Sequence, residues 1–302
     1  MNLKLSQAEQ EQYRRDGFFF PVRILDVAEA TNHRRRLEDI ETKYGPMHYR
    51  HKPYLLMKSA AEIARNPVLL DAVEDLLGPD ILLWDSAYVI KEPRNTKYIS
   101  WHQDLTYWGL DGEEVVTAWV ALSSSTPESG CMKMLPGSHL EGENPHHDTY
   151  GKDNILHRGQ ELDMAVEDDK AVSIELQPGE ASLHHGWVAH ASHPNKSDDR
   201  RIGLSLQYLT PRMQQKKTER ESALLVRGQD DIIRGFHNVC MHRGNRVEQQ
   251  ASGNSPNCRF VCKYHGFSYD LEGKLVAVPE ERKFFDLDKA AYGLKPIATD
   301  VW

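Results

Sequence analysis

Apolar positions along the chain follow two rhythms. The first eighty residues carry mostly the helical one. Ser6-Gln-Ala-Glu9 reads as a capping box that opens a short helix ending near Asp16-Gly17. Gly17-Phe-Phe-Phe-Pro-Val-Arg-Ile24 is an apolar run of strand length. Residues 27–43 return to helical spacing, with Arg and Glu on the wet face. Asn66-Pro67 opens a further helix with apolar Leu69, Leu70, Val73, Leu76 and Leu77, and Gly78-Pro79 stops it. These helices are expected to form a layer on one side of a sheet.

From Ile81 the period shortens. Residues 81–90, 115–122, 171–176, 181–184 and 202–208 read as short strands. Pro/Gly turns lie between them, at Thr126-Pro-Glu-Ser-Gly130, Pro136-Gly-Ser138 and Pro178-Gly179. Strands so spaced predict a jelly roll or double-stranded β-helix, a mainly β fold with flanking helices. The 141–170 segment is polar, rich in His and Asp, and too long for a hairpin loop; it reads as a lid or binding loop. Residues 210–220 are polar and basic and read as a boundary. The first domain is therefore expected over 1–218 and a second, small and all-β, over 219–302, with strands at 223–226, 232–239 and 275–278.

Composition narrows the function classes. Apolar residues make up 39% and charged ones 27% of the 302 positions, which suits a packed fold rather than a disordered one. The net charge of −8, with no long basic block, argues against nucleic acid as a partner. No apolar run approaches the roughly 18–20 residues of a spanning helix. Met1-Asn-Leu-Lys-Leu leads straight into polar Ser6-Gln-Ala-Glu9, so a cytoplasmic protein without a signal peptide is the expectation. Four cysteines make no disulfide framework, but three of them fall between 240 and 262.

Two groups of residues carry candidate chemistry. His102 and Asp104 stand two apart in Trp101-His-Gln-Asp104. On an extended strand they would project to one face. A second imidazole from a distant strand would complete a two-His-one-carboxylate set, which leaves three metal positions open and suits non-haem Fe(II). His184, His185 and His190 all lie in the stretch that must meet it. Arg201 opens an apolar strand, where a guanidinium could pair with a carboxylate. His185 and His139 read as packed or hydrogen-bonding residues, and His146, His147 and His157 as solvated loop residues, with substrate contact as their second reading. Trp84, Tyr88, Trp108 and Trp119 read as core or pocket wall. Lys91 and Gln103 are within conceivable reach of a bound ligand. The second group is Cys240-Met-His242 with Cys262-Lys-Tyr-His265, nineteen residues apart. Two Cys-His pairs fit either a Rieske [2Fe–2S] centre or structural Zn.

Residues from about 10 to 228 resemble the phytanoyl-CoA dioxygenase family of Fe(II)- and 2-oxoglutarate-dependent oxygenases. The matching stretches are 101–104, 128–139, 177–180, 185–190, 195–201 and 221–228. The resemblance implies a double-stranded β-helix, Fe(II) held by His102, Asp104 and His190, and the distal carboxylate of 2-oxoglutarate held by Arg201. It implies hydroxylation of a small molecule with O2. Related halogenases need a small residue where Asp104 stands. Phe236-His-Asn-Val-Cys-Met-His-Arg-Gly-Asn-Arg246 and the stretch from Phe260 to Lys274 resemble the Rieske domain of aromatic-ring-hydroxylating oxygenases. That resemblance implies a [2Fe–2S] cluster on Cys240, His242, Cys262 and His265, with a ferredoxin or reductase as partner. It covers about 223–302, so an incomplete domain is expected. The disulfide cysteines of respiratory-chain Rieske proteins are replaced by Asn245 and Tyr264, and Cys258 is a spare thiol. Two other readings stay open: a Rieske-type electron-transfer component, and a cupin-like binding protein without turnover.

Overall fold

The computed structural model describes residues 4–156, 159–163, 166, 168–215, 223–250, 252–255 and 257–299. The chain divides into two compact units, Met1–Lys216 and Lys217–Trp302. The expected boundary at 218/219 lies outside the described residues, as does His157.

In the first unit the helices follow their caps. Ser6 accepts from the Glu9 N–H, and the Glu9 carboxylate accepts from the Ser6 N–H, at the start of Gln7–Asp16. Gly17 ends that helix at φ 84°, where a Cβ would stand 2.5 Å from His139 Nδ1. Asp26 and Glu29 form a second capping box for Val27–Tyr44. Asn66 caps Pro67–Leu77. A further helix, Lys58–Ala64, lacks a side-chain cap and escapes sequence reading.

Most of the first unit's strands make two antiparallel sheets, beside two short two-stranded ribbons. The larger has the order Phe18–Arg23, Glu180–His185, Val115–Ala121, Arg201–Leu209, Leu82–Lys91. The smaller runs Ile99–His102, His190–Ser192, Met132–Met134, Val172–Ile174. Three of the smaller sheet's strands, at 99–102, 132–134 and 190–192, are too short to stand out in the sequence.

Register sorts the larger sheet's side chains onto two faces. Leu204 sits opposite Val120 and Tyr88, and Ser205 opposite Trp119 and Ala87. The even residues Ile202, Leu204, Leu206 and Tyr208, with Ala118, Val120 and Leu183, pack on the helices around Leu37, Ile63 and Leu69. The odd residues Arg201, Gly203, Ser205 and Gln207 face inward with Thr117, Trp119, Ser182 and His184. The inner apolar floor joins Trp119, Met132, Met134, Ile174 and Val188 from both sheets.

The second unit is built from short strands. Ala223–Arg227 pairs with Ile233–His237, which pairs with Pro296–Ile297. Arg259–Val261, Ser268–Asp270 and Leu275–Ala277 form a second three-stranded sheet. Its own core joins Phe236, Val247, Phe267, Tyr269 and Leu294. Among the described residues, no helix is long and apolar enough to cross a membrane.

Candidate metal centres

His102 ends its strand, and Asp104 opens a 3-10 turn, Asp104–Tyr107. The two do not share one strand, as the spacing argument supposed. They still face the same way, because Gln103 between them is extended (φ −122°, ψ 129°). His190 is registered directly opposite His102 across the smaller sheet. One ligand atom from each of His102, Asp104 and His190 falls within a group no wider than 4.8 Å. The Oδ1 atom of Asp104 is 3.7 Å from His102 Nε2 and 3.7 Å from His190 Nε2.

The imidazoles are prepared for a metal. His102 Nδ1–H donates to the Ser100 carbonyl at 2.9 Å, and His190 Nδ1–H to the Val188 carbonyl at 3.0 Å. Each bond fixes the tautomer and leaves Nε2 as a lone pair aimed at Asp104. Burial lowers both imidazoles, His190 to about 3 with the His102 ring adding to the effect, so both are neutral at pH 7. Burial pushes the Asp104 carboxyl up, but the His184 contact and the nearness of the three imidazole rings outweigh it. The carboxyl is held below its ordinary range. Neutral imidazoles beside a carboxylate are the donor set a divalent metal needs.

Arg201 projects from the inner face of the larger sheet, fully buried. Its Nη1–H donates to the Gly130 carbonyl at 2.6 Å, and its guanidinium lies over Trp119, 5.2 Å from the ring centroid. Gly203 makes room for that ring: a Cβ there would stand 1.9 Å from Trp119 Cζ2. Nε and Nη2 of Arg201 have no partner. A buried cation with two donors idle is built to receive an anion.

Two residues within conceivable reach of a ligand are spoken for. Lys91 Nζ donates to the Ser192 carbonyl and hydroxyl, at 3.0 and 2.7 Å, and to the His193 carbonyl. Gln103 is a staple. Its Nε2 donates to the Gly142 and Trp187 carbonyls, each at 2.8 Å, and its Oε1 accepts from Asn144 N–H at 2.8 Å. It thereby ties the start of the 141–170 segment and the turn before His190 to the metal loop. His146, expected to be solvated, instead accepts from the Gln103 N–H at 3.2 Å. His139 donates to the Arg14 carbonyl at 3.1 Å, and His185 Nδ1 accepts from Trp187 N–H at 3.1 Å.

Tyr49 carries no signal in the sequence. Its backbone is left-handed at φ 52°, as is that of Lys52 at 56°. Asp85 holds this turn, accepting from His51 at 2.7 Å, Lys52 N–H at 3.2 Å and Ser86 N–H at 2.8 Å. The Tyr49 phenol lies in the fields of both Asp104 and Arg201. Burial first, and Asp104 second, keep it protonated.

In the second unit, Cys240 and Cys262 open matching turns. Gly244 N–H donates to the Cys240 carbonyl at 2.9 Å, and Gly266 N–H to the Cys262 carbonyl at 2.8 Å. Both glycines are left-handed, at 74° and 73°. The thiols are buried. The imidazoles at 242 and 265 lie with ring centroids 4.5 Å apart, and His242 stacks on Phe267 at 4.4 Å. Tyr269 Oη accepts from Met241 N–H at 3.1 Å and stands 3.2 Å from Cys240 Sγ. Segregating two thiols and two imidazoles on twin loops matches the donor set of a Rieske centre. Cys258 is half-buried and free, 3.1 Å from Gln229 Nε2.

Fold and site together define a jelly-roll protein with a non-haem two-His-one-carboxylate site, followed by a Cys2His2 iron–sulfur-type unit. Residues 13–203 match the phytanoyl-CoA dioxygenase (PhyH) family, and the chain belongs to that family. Residues 204–294 match the Rieske [2Fe-2S] domain. The first residues of that second span, 204–209, nonetheless pair within the larger sheet of the first unit. A solved non-heme monooxygenase, ThoJ, is 36% identical at a TM-score of 0.61, covering 74% of this chain and 84% of its own. A probable alpha-ketoglutarate-dependent hypophosphite dioxygenase from Stutzerimonas stutzeri is 27% identical over 158 residues, 52% of this chain and 54% of the relative. The glycine betaine monooxygenase oxygenase subunit of Chromohalobacter salexigens is 43% identical over 75 residues, 25% of this chain and 16% of the relative. The chain thus spans about half of the one relative's length and about a sixth of the other's.

Proposed function

We propose that this protein is a non-haem Fe(II)- and 2-oxoglutarate-dependent dioxygenase that hydroxylates a small molecule, with a Rieske-type [2Fe–2S] unit following it. One observation carries the reading: a two-His-one-carboxylate set stands on the same inner side of the larger sheet as a buried arginine that has two idle donors. His102, Asp104 and His190 would hold Fe(II), and Arg201 the distal carboxylate of 2-oxoglutarate. Bound there, iron and oxo acid supply O2-dependent oxidation coupled to decarboxylation of the oxo acid. The chain's own residues orient and enclose. Arg201 sets the end of the co-substrate, and the Tyr49 phenol remains a donor beside it. Gln103 keeps the metal loop, the turn before His190 and the covering segment in one arrangement. The family's dioxygenases and the alpha-ketoglutarate dependence named for one relative support this reading.

Cys240, His242, Cys262 and His265 would hold the cluster. The relatives matched by this unit are oxygenase subunits, which supports a ferredoxin or reductase as electron source. Hydroxylation driven by an oxo acid draws its electrons from that acid, so the cluster is not needed for its stoichiometry. Iron per chain and the EPR spectrum of anaerobically purified, dithionite-reduced protein test both sites at once. About three irons with a Rieske signal is the expected result. Succinate formation that needs 2-oxoglutarate separates turnover from mere binding. Its absence in iron-loaded protein would overturn the hydroxylase reading.

A further inference from the structure

Beside the three metal-facing residues stands a third imidazole with no assigned task. His184 is 1% exposed, and neither of its nitrogens has a hydrogen-bond partner. Leaving both polar atoms of a buried side chain unmet is costly, and such a group calls for an explanation. Its position is set by register. His184 lies opposite Thr117 on the neighbouring strand, and both side chains point to the inner face. There they converge on one atom. Thr117 Oγ1–H donates to Asp104 Oδ2 at 3.0 Å, and His184 Nε2 lies 3.5 Å from the same oxygen. The other oxygen, Oδ1, is the one equidistant from His102 Nε2 and His190 Nε2. The two oxygens of this carboxylate therefore face different neighbours.

We infer that His184 is a positioning residue which, with Thr117, holds Asp104 Oδ2 and so presents Oδ1 alone to the metal. The inference rests on the metal reading above. Carboxylates bind metals through one oxygen or through both. A carboxylate free to rotate would offer its second oxygen too, and take a position that the co-substrate and O2 need. His184 Nε2 donates to Oδ2 as the Nε2–H tautomer, whereas His102 and His190 keep Nε2 as an acceptor through their Nδ1–H bonds. The same ring type thus plays two roles within one cluster, decided by what each Nδ1 meets.

Co(II) titration of the full, metal-depleted chain tests this, read by visible absorption and without 2-oxoglutarate. His184→Phe should weaken Co(II) binding by about 10–100-fold. It should also change the intensity of the Co(II) bands, which report coordination number. His184→Gln, which keeps an N–H donor, should restore most of the affinity, and Thr117→Val should shift the bands in the same direction as His184→Phe. Circular dichroism melts of the metal-free variants identify any that fail to fold; Thr117→Val then carries the test. A folded His184→Phe with native affinity and native bands would overturn the inference. So would pulsed EPR of the Cu(II) form showing three coupled imidazoles in the native protein and two in the variant, since His184 would then be a ligand. A native chain that binds no Co(II) would remove the metal reading and this inference together. Native Co(II) behaviour without succinate formation would remove the 2-oxoglutarate reading alone.

Discussion

Replacing Arg201 with Met should move stability and co-substrate binding in opposite senses. In the free protein the guanidinium is fully buried and makes one hydrogen bond, to Gly130. Burial is what pulls it down, to about 10, and it stays charged at neutral pH. Exchanging a buried charge for an apolar group of similar volume is neutral or stabilising by about 1–4 kcal/mol. The thermal midpoint without 2-oxoglutarate should therefore hold steady or rise by several degrees, at roughly 2–4 °C per kcal/mol. With 2-oxoglutarate the sign reverses. The distal carboxylate would be buried without its cation, at a cost of about 3–5 kcal/mol. That corresponds to roughly two to three and a half powers of ten in half-saturating 2-oxoglutarate. Scanning fluorimetry with and without the oxo acid, alongside succinate quantification, reads both effects. A ligand that binds only the folded state raises the native midpoint, and the variant should lose that rise. Native half-saturation in the variant would refute the carboxylate role. A midpoint several degrees lower without ligand would show that the guanidinium stabilises the fold itself.

Asp104→Ala removes the one carboxylate of the metal-facing set and should abolish succinate formation and hydroxylation; full activity would take Asp104 out of the site. Gln103→Leu removes three hydrogen bonds, to the Gly142 and Trp187 carbonyls and from the Asn144 N–H, and should lower the thermal midpoint by roughly 5–15 °C; an unchanged midpoint would mean the staple is idle. His185 gives an acid-side signature. Burial first, then the neighbouring His139 and His184 rings, lower it to about 4. Between there and the unperturbed value of about 6.5, the unfolded chain binds a proton that the folded one refuses. Its penalty is absent above that window and complete below it, so stability falls as pH falls through it. His185→Asn keeps an acceptor for the Trp187 N–H and should flatten the fall in midpoint across that range. An identical slope would exclude His185 as its source.

The parts of the fold legible in the sequence are those that local chemistry writes. Ser6 with Glu9, and Asn66 before Pro67, name their helices because a cap is made within four residues. Lys58–Ala64 has no side-chain cap and packs by four buried residues alone, so nothing local announces it. The strands at 99–102, 132–134 and 190–192 hold three or four residues, too few for a period. Their places are set by register across the sheet. The convergence of His102, Asp104 and His190 was sought at the right spacing, although the extended strand behind that argument stops at His102 and Gln103 alone carries the geometry on. Tyr49 was illegible for a stronger reason. Its approach depends on two left-handed residues, Tyr49 held by the Tyr88 carbonyl and Lys52 by Asp85, each more than thirty positions away. His146 likewise reads as a loop histidine until the Gln103 N–H is found pointing at it.

The alternation along Arg201–Leu209 has a consequence for how such a protein can diverge. Odd positions furnish the polar wall and even ones the helix-facing core. A one-residue slip of this strand would send Arg201 into the hydrocarbon packing and Tyr208 to the inner face at a stroke. Chemistry and folding here share one reading frame. Changes in selectivity can therefore accumulate by substitution along the strands, while changes in length are confined to the connections between them.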